Sequence, residues 1–337
     1  MDFSTTDEQN MLLDSCDRWA RQRGGFSNRR ELLTHPPAER SRLWSELAEM
    51  GLTALLVPAS NGGLERPLID AALVAQSLGR GWLIEPFAEC AIGAAHMLAQ
   101  APASGVAAQT LAAIASSEQI VVPLASGPTA ASPGANVTQA AAAAALLSYD
   151  GESLLLVRRG DAALSAYRQF DGTPGATVRW DPALATALAR GDPARHAWQR
   201  GLAAMAIGRI GSGLGLARTV LDLTADYLRT RQQFGQPIGR FQALAHRLAD
   251  LLVDYEMAQS IWLAAALRPA SPRTLAAAQV LAHQALRAIG QQAVQLHGAI
   301  GMTEELAISH YVKHLLALEI TLGPRDDALH DFMAASA

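Results

Sequence analysis

Residues 227–242, YLRTRQQFGQPIGRFQ, hold the densest group of chemistry-bearing side chains in the sequence. Arg229, Arg231 and Phe234 stand beside Gly235, Pro237 and Gly239. Proline cannot occupy a helix interior, so the chain must turn here. An arginine, a nearby aromatic ring and the unpaired N–H groups of a helix start together suit a phosphate. The same residues also suit an ordinary link between helices with a solvated arginine. Before this stretch, Ile210, Leu214, Ala217, Leu221 and Thr224 recur at helical spacing. After it, Phe241, Leu244, Ala245, Leu248, Leu251, Leu252 and Tyr255 form one apolar stripe, with Asp250 and Asp254 opposite.

From Arg231 the pattern R-x-x-F-G-x-x-I-x-x-F-Q resembles the interhelical link in the C-terminal domain of flavin-dependent acyl-CoA dehydrogenases. A second segment, QLHGAIG at 295–301 followed by MTEE, is similar to that family's Q-x-x-G-G-x-G-[YF] run. The N-terminal part adds, in the family's order, W-x-x-L-x-x-x-G-L from Trp44, Val57-Pro58, G-G-L at 62–64 and L-G-R at 78–80. The particular likeness is to the reduced subunit of heteromeric bacterial acyl-CoA dehydrogenases of steroid side-chain breakdown.

The resemblance implies an FAD cofactor and an acyl-CoA substrate that is desaturated between its α and β carbons. By that resemblance Arg231 meets the FAD pyrophosphate, with Gln233, Phe234, Ile238 and Phe241 packing nearby. Gln295 and the backbone at Gly298 and Ala299 do the same on the second segment; Ala299 stands where the family has glycine. The middle of the chain departs from the pattern. The flavin-ring marks, T/S-E-P with G-S-D and a later W-I-T/S run, are missing, and the nearest stretch, 126–134, lacks both Glu and Asp. The two family positions for the catalytic glutamate hold Leu322 and Met205, with Ala206 in place of a neighbouring arginine. Glu319, one helical turn before Leu322, is the remaining candidate base; its plainer reading is a surface or interface carboxylate.

The implied function is a hetero-oligomeric subunit that donates FAD contacts while a second acyl-CoA dehydrogenase-like subunit supplies the base, with electron-transfer flavoprotein or a similar acceptor downstream. The alternatives are a self-sufficient homo-oligomer using Glu319, and a non-catalytic assembly subunit.

The chain has 337 residues, 50% apolar and 17% charged, with a net charge of −4. That composition excludes a disordered chain and gives no basic field for nucleic acid. Cys16 and Cys90 make no disulfide framework, and no apolar run reaches the ~18 residues of a membrane span. The start lacks a secretory apolar region, so a soluble, cytoplasmic protein is expected. His310 and His314 are spaced i, i+4, but no carboxylate or cysteine nearby completes a ligand set, so no metal is expected.

The elements that must position these residues read as an α+β, mostly α fold. Residues 1–117 form an N-terminal helical domain, 118–198 a reduced middle β domain, and 199–337 a C-terminal four-helix bundle. Residues 52–58 read as an extended run stopped by Pro58. Strands are expected at 120–125 and 176–180, a loop at 126–136, and a hairpin at Asp150 and Gly151. Ser271 and Pro272 open the helix that ends near His297. Thr303 is the expected N-cap of a last helix running to Gly323. Gly208, Gly211, Gly213 and Gly215 weaken the long helix before Tyr227 and imply close approach of another backbone.

Overall fold

The computed structural model describes residues 3–34, 37–102, 105–124, 137–138 and 140–335, with backbone alone at 32–34, 37–41 and 138. The expected loop at 126–136 lies outside the described residues. In chain order the elements are α1 Asp7–Arg23, α2 Phe26–Thr34, α3 Pro37–Glu49, α4 Leu68–Gly79, α5 Ala95–Gln100 and α6 Gly105–Ala115. Then come β1 Val121–Pro123, β2 Val137–Thr138, β3 Ala145–Tyr149, β4 Ser153–Arg158, β5 Ala162–Arg168, β6 Pro174–Trp180 and β7 Thr186–Arg190. The chain continues with α7 Gly191–Thr230, the short strands β8 Gln232–Gln233 and β9 Gln236–Pro237, and α8 Gln242–Leu267, α9 Pro272–His297, α10 Ala307–Thr321 and α11 Arg325–Ala334.

The chain packs as two compact units. One comprises residues 1–30, 73–83 and 209–337; the other comprises 31–72 and 84–208. In the second unit β1, β3, β4 and β7 form one sheet and β2, β6 and β5 another. The β3–β4 hairpin turns where Asp150 Oδ1 accepts the N–H groups of Glu152 (2.9 Å) and Ser153 (2.6 Å), with Gly151 at φ 101°. Side chains at alternate positions of both sheets, including Val122, Leu146, Val157, Ala176 and Val178, form its core.

Caps set the helix ends. Thr6 and Gln9 make a reciprocal capping box at α1, and Ser271 Oγ accepts the Thr274 N–H at α9. In the first unit, α4 crosses α7 at glycines. A Cβ on Gly215 would lie 1.9 Å from the Gln76 carbonyl oxygen, and one on Gly79 2.3 Å from that of Ser212. Of the glycines that weaken α7, Gly215 permits backbone-to-backbone contact that no side chain would allow, whereas Gly208 and Gly213 face side chains, Ile92 with Ala88 and Leu286.

The structure corrects four expectations. Residues 52–58 are not extended: Leu52–Ala54 is a 3-10 turn, and every residue from Leu52 to Val57 is buried. A short apolar run enclosed on all sides has no periodicity to reveal its backbone. Phe87–Ala94, unforeseen, is a π-helical segment leading into α5. Thr303 is not an N-cap; its hydroxyl donates to Ile300 O, and α10 begins at Ala307 after Leu306. The last helix then stops at Thr321, and a separate helix, α11, follows. The stripe expected on α8 is only partly covered: Leu251 and Tyr255 are buried, whereas Leu244, Leu248 and Leu252 are half-buried and Ala245 is exposed. No helix among the described residues is long and apolar enough to cross a membrane.

The close approach predicts opposite outcomes for two glycines in helix interiors. Gly215→Ala is expected to cost about 1–3 kcal/mol, because its methyl meets a backbone oxygen. Gly290→Ala, whose Cβ would find Leu316 and Val312 at an ordinary 3.5 Å, is expected to gain up to ~1 kcal/mol. Urea denaturation of the two variants measures both.

Candidate functional site

The link after α7 is a tight hairpin. Gln232 pairs with Pro237 and Gln233 with Gln236, so Phe234 and Gly235 are its two turn residues. Both have positive φ, 50° and 75°, which matches the right-handed twist of the flanking strands. Left-handed backbone costs a phenylalanine roughly 1–2 kcal/mol. Phe234 is nonetheless 90% exposed, edge-on to Phe241 at 6.0 Å between ring centres. Its ring is held out at a strained turn with little of its surface covered. The Arg231 N–H donates to Tyr227 O and the Arg231 carbonyl accepts from Ile238, both at 2.9 Å, which fixes the exposed arginine at the hairpin base. Gly239 lets the link fold back on α7, since a Cβ there would lie 2.9 Å from Leu228 O.

The second segment leaves α9 at Gly298, with φ 70°, and continues as the 3-10 turn Gly298–Met302. Gln295, Gly298 and Ala299 are exposed. The structure brings the two segments together through Tyr227 and His297. Their rings stack at 4.3 Å, and the Tyr227 hydroxyl donates to His297 O at 3.3 Å. His297 Nδ1 donates to Ala293 O at 2.8 Å, and burial lowers the imidazole pKa from its usual value. Arg231 lies four residues after Tyr227, and Gln295 two before His297. A cation, an uncovered aromatic ring and two open left-handed glycines, Gly235 and Gly298, thus gather at one end of the bundle. This set fits a dinucleotide's phosphates and base.

Leu322 and Met205 are both buried. Leu322 caps α10, donating its N–H to Glu319 O, and Met205 packs against Gly93. Glu319 is not a surface carboxylate; it is 4% exposed. Its Oε1 lies 2.8 Å from His283 Nδ1, and Arg287 Nη2 donates to both carboxylate oxygens at 3.1 and 3.2 Å. His283 and Arg287 escaped sequence reasoning, because nothing local in α9 points to a carboxylate more than thirty residues ahead. His310 Nε2 donates to Glu304 O and His314 Nε2 to Leu83 O, so these histidines bond to backbone. Among the described residues no group of three or more His, Cys, Asp or Glu could hold a metal ion. Cys16 and Cys90 are free thiols, both pushed up to about 12, chiefly by burial.

Residues 6–119 match the model of the acyl-CoA dehydrogenase N-terminal domain, and residues 196–335 that of the C-terminal domain. The chain is 31% identical to the acyl-CoA dehydrogenase IpdE2 of Mycolicibacterium smegmatis, over 85% of each chain. Among solved structures it resembles the ChsE4–ChsE5 complex of Mycobacterium tuberculosis, with TM-score 0.84 and 24% identity over 98% of this chain and 97% of that one. It also resembles the Tcur3481–Tcur3483 steroid ACAD, with TM-score 0.86 and 22% identity over the same shares.

Two outcomes follow from the burial pattern. Glu319→Ala strands His283 Nδ1 in the interior and is expected to cost about 1–3 kcal/mol in a denaturant melt. Neither cysteine is expected to react with a thiol reagent at pH 8 in the folded protein, since both remain protonated well above that pH; both are expected to react once denaturant is added.

Proposed function

The chain belongs to the acyl-CoA dehydrogenase family, FAD-dependent oxidoreductases acting on CH–CH bonds, and on that premise we propose that it is one subunit of a hetero-oligomeric acyl-CoA dehydrogenase. It contributes the Arg231 hairpin across an interface to an FAD whose ring and base belong to a partner chain. The observation that carries this reading is the hairpin itself, with Phe234 held 90% exposed in a strained turn beside Arg231. Such a feature has its use in contact with something outside the subunit.

Desaturation removes an α-proton from the thioester and the β-hydrogen with its electron pair. FAD, when bound, supplies the hydride acceptor. Arg231 offers its fixed positive charge to the pyrophosphate, and Phe234 and Phe241 offer ring faces. Gln295 and the backbone at Gly298 and Ala299 give hydrogen bonds, and Gln233 and Ile238 complete the wall. Leu322 and Met205, being buried and apolar, exclude water and hold no proton. Glu319 already accepts from His283 and Arg287, which favours a base supplied by the partner. The likeness to IpdE2, to the ChsE4–ChsE5 complex and to the Tcur3481–Tcur3483 steroid ACAD supports a partner subunit and a bulky CoA thioester substrate. Electrons then pass to electron-transfer flavoprotein or a similar acceptor.

The visible absorbance spectrum tests this reading. The chain expressed alone is expected to be colourless, and the complex co-purified with its partner yellow. In that complex Arg231→Ala is expected to weaken FAD retention on the order of tenfold or more, the loss of a charge-assisted phosphate contact. One FAD per chain with turnover in the solo protein would overturn the proposal and make Glu319→Gln the next variant. Unchanged flavin content in Arg231→Ala would leave this chain an assembly subunit only.

A further inference from the structure

Within the first unit, α1, the turn after α4, α7 and the start of α10 line a cavity of about 300 Å³. That volume is at the lower end of the range that holds small molecules, roughly 300–1,000 Å³, so it suits an occupant of only a few carbon atoms. Its polar lining is Asp17 and Arg21 from α1, Arg80 from the turn, Thr219 and Asp222 from α7, and Tyr311 from α10. The backbone that carries Arg80 is fixed. The Thr219 hydroxyl donates to Arg80 O at 2.9 Å, and Arg29 Nε donates to Gly81 O at 3.3 Å. A Cβ on Gly81 would lie 2.7 Å from Ala20 O, so the turn is pressed against α1. Trp82 follows with φ 57° and packs its ring on that of Tyr311, 5.3 Å between centres.

Tyr311 is the anomaly. The residue is 5% exposed, and among the described residues its hydroxyl has no hydrogen-bond partner. That oxygen is not one of the polar atoms sealed from solvent, so it opens on the cavity that the residue lines. Burial raises the phenol pKa above its usual value, so the hydroxyl keeps its proton and is a donor. A largely buried donor without a partner in the fold calls for one from outside it.

The charges around this hydroxyl are unequally committed. Arg21 and Arg80 are exposed, and among the described residues neither guanidinium makes an ion pair or a hydrogen bond. Asp222 accepts from Arg218 Nε through both oxygens, at 3.1 and 3.3 Å, which offsets its charge. Asp17 Oδ1 accepts from the Ser77 hydroxyl, which leaves its second oxygen as an open acceptor. Two guanidinium groups thus face one uncompensated carboxylate. Such a lining suits a single negative charge better than a dianion, and the carboxylate suits a ligand hydroxyl.

We propose that this cavity binds a small monocarboxylic acid bearing a hydroxyl group. The ligand carboxylate accepts from Arg80, Arg21 and the Tyr311 hydroxyl, and the ligand hydroxyl donates to Asp17. The site is independent of the split-FAD reading, and its failure would leave that reading untouched.

Calorimetric titration of the purified full-length chain with lactate, propionate and inorganic phosphate, at constant ionic strength, tests it. Lactate is expected to bind about fivefold more tightly than either other compound. Tyr311→Phe removes a hydroxyl that bonds to nothing in the fold. Its urea midpoint is expected to be unchanged while lactate affinity falls on the order of tenfold. Arg80→Gln, a change at an exposed side chain, is expected to lower the affinity by as much. Arg229→Ala, at an exposed arginine outside the cavity, is expected to leave it unchanged. Absence of lactate binding, or affinity unaltered in both Tyr311→Phe and Arg80→Gln, would overturn the proposal. An equal loss in Arg229→Ala would also overturn it, by showing a diffuse charge effect. Propionate binding as tightly as lactate would overturn the hydroxyl contact at Asp17, and phosphate binding more tightly than lactate would overturn the choice of a monoanion.

Discussion

Close backbone approach along α7 is the constraint on which the first unit depends. Gly215 and Ser212 meet the backbone of α4 at Gln76 and Gly79, nearer than any Cβ allows, and Gly213 faces Leu286 on α9. Helices that approach this closely are fixed in position by hard contact, since interiors tolerate little displacement. The cost is helix propensity, up to ~1 kcal/mol for each glycine. What the fold obtains is a rigid stem whose C-terminal end carries Tyr227. From that residue the stack on His297 and the base of the Arg231 hairpin both follow.

The two ends of the bundle are chemically unlike. At the hairpin Arg231 and Phe234 are uncovered. Around Glu319 the polar groups turn inward and satisfy one another, apart from His283 Nε2. A carboxylate accepting from a guanidinium and an imidazole is a positioning element before it is a proton acceptor. Leu322 and Met205, buried and apolar, take no proton.

The sequence by itself determined the family, the mostly helical fold and the main helices of both ends. Those features are written in local pattern: Ser271 before Pro272, Asp150 before Gly151, and apolar residues at helical period. It also showed the ring-binding marks and glutamate positions that this chain lacks, because a missing residue type is legible without coordinates. Tertiary structure alone decided the rest. The run at 52–58 is enclosed on all sides, so nothing in its pattern distinguishes an extended chain from a 3-10 turn. Thr303 is a sound cap by type, but its hydroxyl turned back to Ile300 and the helix began later. On sequence Glu319 is a candidate base or else a surface or interface carboxylate, because its partners, His283 and Arg287, lie on another helix. Long-range pairing of a buried charge leaves no local periodicity, so its environment is fixed only when α9 and α10 pack together.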